Sequence, residues 1–379
     1  MLRVGFNARV LRAPGIRGWT RYTISLLKEL SSLGVRLFLY SDAPLHAGHL
    51  ARLPAGTYEV RIAPPMRYPS WEQHWLPRQC SRDRIDIIHC PVNFGLPWSS
   101  RCPRVLTLHD AIDQVYDAGR RRWYQRLRPA ELKTRLYGWM SRSSAHRIIT
   151  VSEHAKSDLV GYLEIPPRKI TVIYEAADAR YHAPIPAPER ERVRRIYQLN
   201  RPYIFYLGGW ERRKNVPFLV RAFAMAALDG LDLVLAGGRQ EERAELARLA
   251  DSLHMGDRLR LLNDIEDADL PPLYAEAHCF VYPSAYEGFG LQLCEAMAVG
   301  CPVLAADSTS LPEVLGNGGQ TFSLLDMQEL VCWLRRVSRD ASCRADLSRR
   351  ARTRAAAFSW RASAEQTLSV YQQLRSSPW

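Results

Sequence analysis

Strand-like runs and helix-period segments alternate along this chain in two successive series, a pattern that implies parallel, doubly wound sheets. The first series opens with a strand from Arg3 to Phe6, a loop through Gly15-Ile16-Arg17-Gly18, a helix from about Thr20 to Leu33 stopped by Gly34, and a strand from Val35 to Tyr40. Ile85 to His89, Arg104 to Asp110 and Arg147 to Ser152 continue it, each a β-branched run closed by polar groups expected to gather along one sheet edge. From about Ala183 to Pro202 the chain turns rich in Pro, Arg and Glu, which reads as a domain boundary. The pattern then restarts with Tyr203 to Leu207, a Gly208-Gly209 turn, a helix from Val216 to Leu228, a strand from Leu231 to Ala236 and a helix from Glu241 to His254. Two α/β domains with Rossmann-like parallel sheets are therefore expected to face a central cleft, with ligands beyond the strand C-termini.

A length of 379 residues suffices for two such cores. No run of about 18 apolar residues offers a membrane span, and Met1 to Asn7 lacks the layout of a signal peptide. The eight cysteines include no Cys-x-x-Cys pair, so reduced structural thiols and a cytoplasmic location are expected. The net charge of +13 is confined to the first half, with 28 basic against 15 acidic residues up to about residue 185 and 24 against 24 beyond. That asymmetry fits an anionic partner for the first half, a membrane surface or a nucleic acid, or else a merely solvated arginine-rich face.

Chemistry concentrates in Phe280 to Val303, where a strand runs into Tyr286-Glu287-Gly288-Phe289-Gly290 and a helix opens at about Leu291 and stops at Gly300. The amides of Gly290 and Leu291, with the helix dipole behind them, suit a diphosphate, and Gly288 and Gly290 admit its close approach. Glu287 precedes the helix and Glu295 lies inside it, so two carboxylates are available to accept from sugar hydroxyls in charge-assisted bonds. The apolar neighbours of Glu295 speak against a mere surface position. Upstream, Gly208-Gly209-Trp210-Glu211-Arg212-Arg213-Lys214-Asn215 places cations at a sheet edge, where they stabilise a leaving diphosphate and can replace a metal in that role. Asp267-Ala268-Asp269, in a turn expected at the surface, is too generic for a metal site.

Glu287-x7-Glu295, Tyr-Glu-Gly-Phe-Gly and Glu-Ala-Met-Ala-x-Gly-x-Pro-Val together resemble retaining glycosyltransferase family 4, and the resemblance covers nearly the whole chain. It implies a GT-B architecture with residues 1–185 as the acceptor-side domain, 186–201 as linker, 202–358 as the sugar-nucleotide domain and 359–379 as a helix crossing back to the first. It implies further that Glu287 faces the donor sugar, that Glu295 grips the ribose and that Arg213 and Lys214 contact phosphate. By the same resemblance His109, at the end of Thr107-Leu108-His109-Asp110, lies beside the donor sugar through its carbonyl or imidazole, and Gly15 and Gly18 belong to a flexible loop near the phosphates. Gly209, Phe289, Gly290 and Leu291 complete the expected donor site. Many members carry an arginine where Gly209 stands, and Arg212 is the residue that would compensate. Ser152 needs no more than a helix cap to explain it.

The resemblance implies a hexosyltransferase with retention and no metal, for which the nucleotide diphospho-sugar is a substrate and no cofactor is needed. Arg-Lys-Asn and Trp71-Glu72-Gln73 are similar to members that transfer mannose in surface polysaccharide assembly, so GDP-mannose is favoured, with a UDP-sugar as the alternative. The acceptor would be a glycan or lipid-linked. Arg120 to Arg147 interleaves nine basic residues with Trp123, Leu127, Leu132, Leu136, Trp139 and Met140, a basic amphipathic pattern suited to the inner face of the cytoplasmic membrane. The rival reading puts Trp139 and Met140 in the core. A nicotinamide dehydrogenase is disfavoured because Gly-x-Gly-x-x-Gly does not follow the first strand, and a nucleic-acid partner because no recognition helix or aromatic sheet motif appears.

Overall fold

Each series of strands closes into a sheet of its own. In the first, β1 (Arg3–Asn7), β2 (Arg36–Ser41), β3 (Tyr58–Ile62), β4 (Ile87–Cys90), β5 (Arg104–Thr107), β6 (Arg147–Thr150) and β7 (Ile170–Val172) align in the order β3-β2-β1-β4-β5-β6-β7. In the second, β8 (Tyr203–Gly208), β9 (Asp232–Gly237), β10 (Leu259–Leu262), β11 (Cys279–Tyr282), β12 (Val303–Ala306) and β13 (Gln320–Phe322) align as β10-β9-β8-β11-β12-β13. These relations come from a computed structural model, which describes residues 1–15, 18–116 and 129–376, with side chains from 132 onward in the last segment. Every strand pairing among the described residues is parallel.

Helices on both faces of a parallel sheet leave its strands no wet side, so their sequences run apolar without alternation. Every residue of β4, β11 and β12 is accordingly buried. The helix Val216–Ala226, started by Pro217 in its first turn, buries Val216, Phe218, Leu219, Val220 and Phe223. Chain order reverses between β1 and β4 in one sheet and between β8 and β11 in the other. Loops leaving neighbouring strands diverge at such a reversal and open a crevice at the strand C-termini.

The chain divides into two compact units, residues 1–175 with 360–379, and 176–359. The boundary thus lies ahead of the expected one near 185, and 186–201 is no linker. Pro186 and Pro188 occupy the N-cap and first turn of a helix, Ala187–Ile196, positions where the missing amide costs nothing. Arg190 and Arg192 on that helix pair with Glu276 and Asp269, within the second unit. The same contacts correct the reading of Asp267 and Asp269 as a surface turn: Asp269 is buried and also accepts from the Tyr197 hydroxyl at 2.7 Å, and Asp267 pairs with Arg180 at 2.7 Å. The last helix, Trp360–Ser376, belongs to the first unit, packed along Gly18–Ser32.

No helix of the described residues is long and apolar enough to cross a membrane. Within the basic segment, residues 120–128 lie outside the described residues, and so do Ile16 and Arg17 of the first loop. The rest is the helix Pro129–Ser144, on which Leu132, Leu136 and Trp139 are exposed at helical spacing and Met140 is half-buried. Ser152 caps Glu153–Leu163 by accepting from the Ala155 amide at 2.9 Å.

Candidate functional site

In the second unit the loops after β8 and β11, which flank the reversal of strand order, converge on one carboxylate. The chain leaves β8 through Gly208-Gly209, makes a 3-10 turn at Arg212–Lys214, and enters the next helix through Asn215 in the left-handed conformation. The Ala285 amide donates to the Arg213 carbonyl at 2.7 Å, tying this turn to the loop after β11. Lys214 Nζ donates to Glu287 Oε1 at 2.6 Å and to the Tyr282 hydroxyl at 2.8 Å, while Arg213 Nη1 reaches the same Oε1 at 3.1 Å. Ser284 Oγ donates to Oε1 as well. Three side-chain donors therefore meet on one oxygen, and Oε2 receives none of them.

Burial alone would push the Glu287 carboxyl up, but the Lys214 ammonium and Arg213 guanidinium outweigh it and hold the group below its usual range. Burial, seconded by Arg213, pulls Lys214 below the usual ammonium range, with Glu287 acting against that fall. Glu287 is thus an anion fixed between two cations, with the loop after β12 as support: its amide donates to Thr309 Oγ1 and its carbonyl accepts from Ser310 Oγ, each at 3.0 Å.

The helix Leu291–Val299 starts beside this cluster. Its N-cap, Gly290, has φ +93°, and no side chain caps the first turn. A Cβ on Gly290 would lie 2.9 Å from Leu311 Cδ2, so both conformation and space demand glycine. The uncapped turn presents amides and the positive end of the helix dipole. Phe289 and Leu291 are buried, Phe289 edge-on to Phe358 at 5.9 Å, so these two can meet a ligand through the backbone but not through their rings or methyls. Glu295 is 2% exposed and accepts from the Tyr274 hydroxyl at 3.2 Å, which rules out the surface position.

Two sequence expectations fare differently. Arg212 is exposed and takes no part in the Glu287 cluster. The space beside Gly209 is filled by the Glu211 carboxylate, 2.2 Å from where a Cβ would stand. Gly15 and Gly18 are exposed, and a Cβ on either would meet nothing within 4 Å.

His109 belongs to the first unit, just past β5. Its ring is buried, with Nδ1 3.1 Å from Glu175 Oε1 and Nε2 3.0 Å from the Pro91 carbonyl oxygen. The backbone amide donates to Asn93 Oδ1 at 3.0 Å. Of the two contacts that sequence left open, the imidazole is consumed inside the protein and the carbonyl remains. Glu175 was not among the candidates: the run Val172 to Asp178 carries no signal of a partner 66 residues away. Nor did sequence single out Tyr282 and Ser284 as partners of the site, although both lie in the motif that carries Glu287.

Residues 189–354 match the family model described as glycosyl transferases group 1, and residues 16–181 that of glycosyltransferase family 4. An O-antigen chain mannosyltransferase B of Escherichia coli is 34% identical over 77% of this chain and 76% of its own length. The serotype-specific mannosyltransferase WbdA of the same organism is 29% identical over 62% of the chain, which spans 29% of that longer protein. Among solved structures, sucrose-phosphate synthase from Thermosynechococcus elongatus superimposes with a TM-score of 0.77 at 20% identity, covering 99% of both chains. Anabaena HepE in complex with UDP-glucose gives 0.76 at 17% identity, over 98% of this chain and 100% of its own. The last two similarities establish the shared GT-B fold.

Proposed function

The chain belongs to glycosyltransferase family 4, and on that premise we propose that it transfers mannose from GDP-mannose to a glycan or lipid-linked acceptor in surface polysaccharide assembly, with retention and without a metal ion. One observation carries the reading: Lys214, Arg213 and Ser284 saturate one oxygen of Glu287 beside an uncapped helix start. Glu287 Oε2 is then left to accept from a donor-sugar hydroxyl, and the Glu295 carboxylate from the ribose. The cations and the Leu291–Val299 amides take up the charge that develops as the diphosphate departs, in positions set before the reaction starts. That is the charge stabilisation a divalent ion supplies elsewhere. The acceptor hydroxyl attacks the anomeric carbon from the face the diphosphate leaves, through an ion pair, and passes its proton to the departing diphosphate oxygen, which retains the anomeric configuration.

Mannose is favoured because relatives of the chain are described as mannosyltransferases. The test is thermal shift with GDP, UDP, ADP and their sugar derivatives, since a ligand at 100 times its Kd stabilises by about 2.7 kcal/mol. GDP-mannose is expected to give the largest shift, unchanged by EDTA. A larger shift with a UDP-sugar would overturn the donor assignment, and an inverted anomer in the product NMR spectrum would overturn retention.

The second element of the proposal is a membrane-facing surface on the first unit. Trp98 and Trp139 are both 49% exposed and stacked with ring centroids 5.6 Å apart, flanked by exposed Leu132, Leu136, Lys133 and Arg135. Exposed indoles beside cations suit the headgroup layer of an anionic leaflet, placing the enzyme on the inner face of the cytoplasmic membrane where a lipid-linked acceptor is presented. Sedimentation with phosphatidylglycerol vesicles, absent with phosphatidylcholine and lost in a Trp98→Ser/Trp139→Ser variant, is the expected result. Equal sedimentation of variant and wild type would refute it.

A further inference from the structure

Both ring nitrogens of His109 face groups that accept hydrogen bonds and donate none, the Glu175 carboxylate and the Pro91 carbonyl. A neutral imidazole has one N–H and would leave one of these contacts without a proton. Water offers no repair, because the side chains of His109 and Glu175 are 6% and 7% exposed. The ring also ties the ends of the neighbouring strands β4 and β5 to that of β7, which lies beyond β6: Pro91 follows β4, His109 follows β5 and Glu175 follows β7.

We propose that His109 is carried as an imidazolium neutralised by Glu175, and that Glu175 is a positioning residue of the transfer reaction, fixing the strand-end loop that presents the His109 carbonyl to the donor. The second half of this statement rests on the reading of the chain as a sugar-nucleotide transferase; the first half does not. With both nitrogens engaged, His109 is neither a general base nor a ring contact for the sugar. Its carbonyl, which takes no hydrogen bond among the described residues, is the group left for substrate.

The surroundings of the ring agree with a single positive charge there. Asp110 stands next to it in the chain, Tyr22 of the helix Gly18–Ser32 meets it edge-on at 4.7 Å, and Trp19 lies at 6.1 Å. Burial works against the charge, but the hydrogen bond and the charge of Glu175 outweigh it, with Pro91 and Asp110 adding, so His109 titrates above its ordinary value. His89 on β4 goes the other way: burial, helped by the charge on His109, brings it down to about 3. It is neutral, bonded to Thr107 Oγ1 at 2.8 Å and to the Tyr371 hydroxyl. Burial likewise lifts the Tyr22 phenol above its usual range and keeps it uncharged. Two buried histidines in one unit are thus held in opposite charge states.

The test is long-range 1H–15N NMR of histidine-labelled protein, with His109→Gln to assign the signal. Both His109 nitrogens are expected to resonate as protonated from pH 6 to pH 8; a ring that titrates at or below about 6.5 would overturn the charge assignment. Glu175→Gln is expected to move the inflection to about one unit below pH 8, which leaves about one ring in ten charged at that pH. Its kcat with saturating GDP-mannose should then fall by the same factor at pH 8 and recover near pH 6, with donor KM little changed, while the wild-type profile stays flat. A loss equal at both pH values, or none, would overturn the positioning role. Glu175→Asp, which keeps the charge, is expected to retain the wild-type spectrum, and it carries the test if the glutamine variant does not fold. Failure of the donor assignment alone would leave the NMR result standing.

Discussion

Replacing Lys214 with Met removes one charge from the most tightly bonded part of the site while keeping the stem of the side chain. In the wild type the ammonium is 7% exposed, 2.6 Å from Glu287 Oε1 and 2.8 Å from the Tyr282 hydroxyl. Breaking a buried ion pair costs about 3–5 kcal/mol when the surviving charge is left alone. Glu287 is not left alone, because Arg213 at 3.1 Å and Ser284 still donate to the same oxygen. The expected loss of stability is therefore smaller, about 2–3 kcal/mol, chiefly one charge-assisted bond, since the Tyr282 hydroxyl keeps its bond to Gln292 Oε1 at 3.1 Å. The effect on turnover is larger, since removing one preorganised donor from a developing negative charge lowers kcat about 10²–10³-fold. Lys214→Arg is not expected to rescue it, because a planar fork does not replace a compact ammonium in a filled space. The assays are denaturant unfolding and release of GDP from GDP-mannose with acceptor present. A folded Lys214→Met enzyme with kcat within about twofold of wild type would refute the assignment of Lys214 to the departing phosphate.

Glu287, held low in the native state, contributes stability that is present above its unfolded value and lost as pH falls through its folded one. Thermal melts are thus expected to drop below about pH 4.5, and Glu287→Gln should flatten that slope. His109, raised by Glu175, contributes stability that is complete below its unfolded value and lost as pH rises through its folded one, so melting temperature should decline above neutrality in the wild type and less so in Glu175→Gln. Gly290→Ala, forced to adopt φ +93° against Leu311, is expected to cost about 1–3 kcal/mol in denaturant unfolding and to weaken the thermal shift by GDP-mannose. Gly209→Arg displaces only the end of the exposed Glu211 side chain, so unfolding free energy should change by less than about 0.5 kcal/mol while donor KM falls; a KM that rises would refute phosphate contact from that position.

Local pattern made most of the fold legible, together with the residues that gather around Glu287. Strands such as β11, buried on both faces, had to be apolar throughout, and the glycine at 290 had to stand where the chain turns into a helix with its amides uncovered. Arg213, Lys214 and Glu287 come together because each lies in a loop after a strand that chain order brings to the switch point. What failed were judgements of a residue's environment made from its neighbours in sequence. Pro186 and Pro188 looked like linker, yet proline opens a helix as readily as it breaks one, and ion pairs with Glu276 and Asp269 make that helix part of the second unit. Arg212 and Arg213 are neighbours in sequence, but a 3-10 turn sends their side chains in different directions, so Arg213 reaches Glu287 while Arg212 stays in solvent. Glu175 was invisible because its significance lies in a contact with His109 made by the folded sheet alone.

The division of the chain at 175/176 and 359/360 makes the second unit an insert within the first. The inserted part is contiguous in sequence and is whole once residue 359 has left the ribosome. The surrounding part, by contrast, lacks Tyr371 against His89 and the bond from Ser363 to the Tyr174 carbonyl until the helix Trp360–Ser376 has been made. During synthesis, the half encoded first is therefore the half that finishes last.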